Sequence, residues 1–420
     1  MKLLLMMLMR TLFTLLLLLN WTGSIKAQHP VQLHPSGTVG QSRLVQLQDQ
    51  SLRLADNSQI SFAQLYRYGS LRQRANRSWV VLRHGEVIVA DQIQLTPGGV
   101  EIRSLLWQPL VVQWEHVRAV IRNVPKVLSA RDRLLDSVFS DPTTDFVIFN
   151  KQTRLDAKFI IDDRGRIVFD KSMLGQPFVI PFSAVRACVF GELEKADLAQ
   201  VMLGFADGSY GSAQNVTRSG NQLIWKTSTG ILLTTAEPLF VLEDFNVWDH
   251  LEYLQPLKSD VVYLDEIKVL QALTLPFFEG RLDNNLDKNQ AIAGLGKNSL
   301  GGGLRGGETF SLHGIGMHSL SRVTFAVPPG AAYFVADLAV DSVAAKRGSV
   351  TFHVFLRENA GDWQATYTSP VIRGGEEIQT VRVALADADE ISLVVGMADR
   401  ATVADYANWM DARFILQPAR

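Results

Sequence analysis

Only one cysteine, Cys188, occurs in 420 residues. An intrachain disulfide is therefore excluded, as is a zinc site built from thiolates. Secreted eukaryotic chains of this size usually carry several bridges, so an exported bacterial protein is the simpler expectation. An excess of one charge is also missing, since 41 Lys and Arg face 42 Asp and Glu. Without a basic stripe to neutralise phosphates, no nucleic-acid partner is expected. Helical periodicity is scarce, and no Gly-x-Ser-x-Gly nucleophile elbow occurs. No catalytic residue is assigned, and the chain is not expected to be an enzyme, although a hydrolase site hidden in residues 40–250 stays open.

The N-terminus has few charges and a run of apolar residues. Lys2 and Arg10 precede Thr11-Leu12-Phe13-Thr14-Leu15-Leu16-Leu17-Leu18-Leu19, and small residues follow at Thr22-Gly23-Ser24. This pattern predicts a signal peptide over residues 1–27, cut after Ala27. The alternative is an uncleaved anchor, but the clean apolar stretch falls short of the ~20 residues of a membrane span. Cleavage would leave no stable span, with the mature chain periplasmic, on the cell surface or extracellular.

Most of the remainder reads as β. The exception is VLSARDRLLDSVF (residues 127–139), where apolar residues recur at three and four, as in a short amphipathic helix. Between about residues 79 and 245, one theme recurs three times: an apolar strand, a hairpin and a returning strand. The copies start at Trp79, Phe146 and Val201, and turn at Pro97-Gly98-Gly99, Asp162-Asp163-Arg164-Gly165 and Asp207-Gly208. A period of ~40–45 residues signals repeated units. Residues 40–250 are expected to form small antiparallel, barrel-like repeats of SH3 or Sm type, which cover their own edges. The alternative is one irregular β-domain whose turns recur by chance. Residues 251–260, with Gln255-Pro256-Leu257-Lys258-Ser259, read as a linker.

Residues 261–418 alternate apolar and polar positions repeatedly. Val323/Phe325/Val327, Phe334/Ala336/Leu338/Val340, Val350/Phe352/Val354/Leu356 and Ile391/Leu393/Val395 each share a face. Period two predicts half-buried antiparallel strands, and their number suits two sheets packed into a jelly roll. The fold class is therefore all-β. In this segment, Tyr263-Leu264-Asp265-Glu266-Ile267, Gly314-Ile315-Gly316-Met317-His318-Ser319, Val340-Asp341, Gly348–Val354 and Asp405–Arg413 appear in order. That series resembles the NPCBM family of carbohydrate-binding modules found beside some glycoside hydrolases. The resemblance implies a galactose-binding-like β-sandwich and a galactose-type ligand, and covers nothing before about residue 255. Ser342, Tyr406 and Asn408 depart from the family pattern.

A sugar offers apolar C–H patches and a fan of hydroxyls, which proteins meet with aromatic faces and polar side chains. His318, Tyr406, Asn408, Trp409, Asp411 and Arg413 supply those types and are the expected glycan contacts. The structural alternatives are a core-plugging Trp409, a local Asp411–Arg413 ion pair and a turn-capping His318. Asp341, Asp399 and Asp405 are candidates for a structural calcium ion, the only cofactor considered. The glycine-rich stretch around Gly301-Gly302-Gly303 lacks the Gly-Lys-Ser/Thr and helix of a phosphate loop. It is expected to be a mobile surface loop near the sandwich rim. The expected function is non-catalytic glycan capture outside the cell. The alternative is a cell-envelope protein-interaction scaffold with a degenerate sugar site.

Overall fold

The computed structural model describes residues 28–417, apart from 38, 49, 75–76, 140–143, 151–152, 170–176, 192–198, 239–244, 275–295 and 400–401. The expected signal peptide lies outside the described residues. Among them, no helix is long and apolar enough to cross a membrane.

The N-terminal half holds four β-units, each with an opening strand paired to a closing strand. In the first, His29–Leu33 pairs with Val39–Ser42 and with Leu65–Gly69, while Leu44–Gln48, Ser51–Leu54 and Gln59–Ser61 form a separate three-stranded sheet. The other units open at Ser78–Leu82, Phe146–Phe149 and Val201–Phe205. Each opening strand pairs antiparallel with its own unit's closing strand, Val117–Ile121, Val185–Val189 and Leu251–Pro256 respectively. Every closing strand begins three residues after an aromatic: Phe62 to Leu65, Trp114 to Val117, Phe182 to Val185, and Trp248 to Leu251. That ring packs in or against the core, and a short helical turn leads from it into the strand.

Closing strands also pair with one another, Val117–Ile121 with Val185–Val189 and Leu251–Pro256 with Leu65–Gly69. The units thereby share one fourteen-stranded sheet. This arrangement corrects the expectation of a linker at 251–260. Pro256 closes its strand against Val201, a strand-end position that tolerates the missing N–H. Cys188 lies in the centre of a closing strand and is fully buried.

The one α-helix among the described residues, Leu128–Phe139 (α1), starts a residue later than its periodicity suggests. Leu134, Leu135 and Val138 bury into a cluster with Trp79, Val81 and Ile121.

The C-terminal module is a two-sheet sandwich. One sheet runs Val261–Tyr263, Tyr406–Leu416, Ala331–Val340, Gln379–Ala384, with Gly314–His318 also paired to Tyr406–Leu416. The other runs Val269–Thr274, Ser321–Ala326, Glu390–Met397, Ser349–Arg357, Gln364–Thr368. Between them, Phe325, Phe334, Phe352, Val354, Leu393, Trp409 and Phe414 form one core. The alternating positions read from the sequence are the inward-facing ones.

The glycine-rich stretch is not a loose rim loop. Asn298 is 1% exposed, and its Oδ1 accepts hydrogen bonds from the amides of Leu300 and Gly302. A hairpin, Leu304–Gly306 with Thr309–Ser311, follows and packs against the N-terminal half. Here glycine is a steric requirement. A Cβ on Gly302 would lie 2.2 Å from the Asp132 carboxyl group, and one on Gly316 would lie 2.4 Å from the Asn298 Cα.

Candidate functional site

The segment Asp405–Arg413 was expected to hold the sugar, and it lies in the centre of one sheet. Trp409 is fully buried and packs edge-on against Phe352, centroids 5.0 Å apart. Its indole N–H has no hydrogen-bond acceptor among the described residues. A sugar ring has no face of Trp409 to stack on. Asn408, also fully buried, donates through Nδ2 to Asp341 Oδ2 at 2.6 Å and to the Arg305 carbonyl at 3.0 Å.

Asp411 interrupts the strand. Its φ of 52° places it in the left-handed region, and the pairing with Ala331–Val340 slips nearby, between Val335 and Asp337. Such a bulge re-aims consecutive side chains, and aspartate tolerates that conformation better than most residues. Trp409 and Ala412 therefore face the core, while Met410 packs outside with Leu304 and Ala339. Asp411 turns towards the N-terminal half. Tyr66 donates to its Oδ1 at 2.7 Å, and Arg67 Nη1 reaches its Oδ2 at 3.0 Å.

Arg67 also pairs with Asp337 at 2.5 Å, and Thr380 donates to that carboxylate at 2.6 Å. Arg413 stacks on the Tyr66 ring, its guanidinium 3.5 Å from the centroid, and donates to Asp411 Oδ2 at 3.1 Å. The Asp411–Arg413 pair read from the sequence thus exists, as part of a clamp between the two halves. Burial opposes the charge on Arg67, but the facing carboxylates of Asp337 and Asp411 outweigh it and raise its pKa. Burial likewise works against ionised Asp337, while Arg67 and Thr380 hold its pKa below the ordinary carboxylate range.

A second cross-link joins α1 to the glycine-rich hairpin. Arg305 meets Asp132 through two hydrogen bonds of 2.6 and 3.0 Å, and both side chains are 5% exposed. Lys297 pairs with Asp136 at 2.5 Å.

The carboxylates considered for calcium do not gather. Asp341 accepts from Asn298, Asn408 and the Val343 amide; Asp405 accepts from the Ser349 amide; Asp399 pairs with Arg373 on the surface. Among the described residues, no three His, Cys, Asp or Glu side chains converge as a metal site. Burial pushes the pKa values of Asp341 and Asp405 up.

His318 and Tyr406 are the two expected contacts that keep open surface. They face each other across paired strands, half-buried, with ring centroids 5.8 Å apart and planes 69° apart. His318 Nδ1 lies 3.4 Å from the Ser319 carbonyl. This pair stands at one end of Gly314–His318. At the other end His313 stacks on Tyr263, with centroids 3.7 Å apart, and its Nδ1 is 3.1 Å from Asp265.

Tyr66, Arg67, Asp132 and Asp337 were not read as site residues from the sequence. Their partners are up to 345 positions away, and no local pattern marks such pairs. The closing-strand signature at Phe62–Leu65 was the one available signal for the first β-unit that carries Tyr66 and Arg67.

Comparison with known proteins places residues 279–415 in the NPCBM/NEW2 domain family. The resemblance read from Tyr263 to Arg413 is therefore shown for the C-terminal module. A protein of Renibacterium salmoninarum named as an endo-alpha-N-acetylgalactosaminidase is 30% identical over 110 residues. That match spans 26% of this chain and 7% of the relative. Among solved structures, CBM51 from Clostridium perfringens GH95, in complex with methyl-galactose, aligns at 23% identity and TM-score 0.30. It covers 37% of this chain and 99% of that one. The tandem CBM51 modules of Sp3GH98 from Streptococcus pneumoniae SP3-BS71 align at 11% identity and TM-score 0.28, over 93% of this chain and 96% of theirs.

Proposed function

We propose that this chain is an exported, non-catalytic glycan-binding protein that recognises galactose-type sugars through its C-terminal sandwich. The observation that carries this reading is the family match over residues 279–415. The contact surface is the rim where His318 and Tyr406 remain open, not the buried middle of the closing strand. There an aromatic ring and an imidazole stand with their planes 69° apart, able to meet a sugar's C–H face and a hydroxyl together. The apolar N-terminal stretch with its small-residue cut site supports export.

Calorimetric titration of the full chain with methyl galactoside and lactose tests the proposal. Binding that weakens at least tenfold in His318→Ala and Tyr406→Ala is expected. No heat at millimolar sugar removes the claim. The burial of Asn408, Trp409, Asp411 and Arg413 favours a second reading, a protein-interaction scaffold whose sugar site is degenerate. Capture of a protein partner unaffected by free sugar, with no sugar binding, would select it.

A further inference from the structure

One cavity lies away from the sandwich rim. It is a cleft of about 390 Å³ between the two halves of the chain. The N-terminal β-units and α1 form one side. The glycine-rich hairpin and His313 of the C-terminal module form the other. Neither half encloses it alone, and junctions of this kind are preferred places for small-molecule sites.

The lining has the two characters a sugar needs. Phe310, Leu312 and Met202 give a partly exposed apolar floor. Phe310 is fixed in place: its amide donates to the Leu71 carbonyl at 2.8 Å, and Arg305 sits over its ring at 5.7 Å. Gln73 and His84 give polar atoms at the walls, and the backbone of Gly301–Gly303 brings peptide groups close without side chains. His84 is held from behind. Its Nδ1 is 3.0 Å from Ser228 Oγ, which donates to Glu86, and Ser228 lies 2.8 Å from Ser212. Glu86 and Ser212 are buried, so the wall is pre-formed.

Charge decides the ligand class. The lysine and arginine beside the cleft are matched, Lys297 by Asp136 and Arg305 by Asp132. A phosphate or carboxylate ligand would find no unmatched cation among these four groups. The volume is at the small end of ligand sites, enough for one or two sugar rings but not a long chain. The strand Gly314–His318 runs from the cleft, at His313, to the His318–Tyr406 rim. Five residues at ~3.3 Å each separate the two places by roughly 17 Å.

We propose that this interdomain cleft is a second glycan site, taking one or two rings of an uncharged saccharide and assembled from both halves of the chain. The proposal rests on the glycan-binding reading above. It gives the N-terminal β-units a role in recognition.

The test is calorimetry of the full chain with methyl galactoside and lactose, comparing the parent with Met202→Trp, His84→Ala and His318→Ala. Met202→Trp fills the floor, and His84→Ala strips a wall donor or acceptor. Two binding events per chain are expected in the parent. Met202→Trp should abolish one, and His84→Ala should weaken the same one at least fivefold; His318→Ala should leave that one in place. An unchanged two-event isotherm in a Met202→Trp protein of parental melting temperature overturns the cleft. If that variant does not fold, unchanged binding in His84→Ala does so instead. A single event lost only in His318→Ala overturns the cleft but leaves the rim reading intact. No binding of either sugar overturns both.

Discussion

Replacing Arg67 with alanine strips the clamp between the two halves of its central cation. Asp337 and Asp411, both on the sandwich side of the interface, would then lose the cation that faces them, with side chains only 3% and 7% exposed. Thr380 still donates to Asp337 and Tyr66 to Asp411, and Arg413 stays 3.1 Å from Asp411, but Asp337 loses its directly paired cation. Removing one member of a buried ion pair costs about 3–5 kcal/mol, because the partner's desolvation is no longer offset. The same reasoning predicts relief when the stranded charge is also removed. Asp337→Asn in the Arg67→Ala background should therefore cost less than Asp337→Asn alone, with a coupling of ~1–3 kcal/mol.

The assay is urea denaturation of the full chain, followed by tryptophan fluorescence and by far-ultraviolet circular dichroism. In the parent the two probes should report coincident transitions. In Arg67→Ala they should separate as the sandwich and the β-units lose their coupling. A loss below ~1 kcal/mol for Arg67→Ala refutes the clamp, as does additivity of the two substitutions within about 0.5 kcal/mol. The clamp is also acid-sensitive in a defined sense. Asp337 titrates below its unfolded range, so its contribution is present above ~3.9 and is lost only as pH falls through the folded value.

Three further outcomes are expected. Trp409→Ala should cost about 3–5 kcal/mol of sandwich stability while leaving sugar affinity of the folded protein unchanged; a folded variant with lost affinity would contradict the core role. Gly302→Ala should lower stability by about 1–3 kcal/mol, since the Asp132 carboxylate beside it is held in place by Arg305, and a parental melting curve would refute that packing. Burial pushes the half-buried Asp207 up to about 6. Its contribution to stability is full below the unfolded value and disappears as pH rises through about 6. Melting temperatures should fall over that window by the equivalent of roughly 1–3 kcal/mol, and Asp207→Asn should flatten the fall.

The sequence was informative where physics is local. Alternation at Val323/Phe325 or Val350/Phe352 marks the face of a strand wherever that strand ends up, because successive side chains point to opposite sides. Spacing of three and four from Leu128 to Phe139 marks a helix in the same way. The family signature, too, is carried by short ordered segments. What the segments between them do was less visible. Residues 251–260 looked like a linker because Gln255-Pro256-Leu257-Lys258-Ser259 falls there, yet Leu251–Pro256 pairs with two distant strands as a closing strand. The glycine-rich stretch looked mobile because glycine permits mobility, yet Asp132 of the helix from the other half packs where a Gly302 side chain would lie.

The sequence alone therefore determined an all-β chain, its C-terminal sandwich and the family to which that module is matched. Tertiary structure decided which of the chemically suited residues meet solvent. Asp405 to Arg413 contains the side chains a sugar would need, but strand pairing on both sides and the docked N-terminal half bury Asn408, Trp409, Asp411 and Arg413. Burial depends on contacts between residues hundreds of positions apart, and no nearest-neighbour pattern encodes it. The same long-range docking created the cleft floored by Phe310 and Met202, which neither half presents by itself.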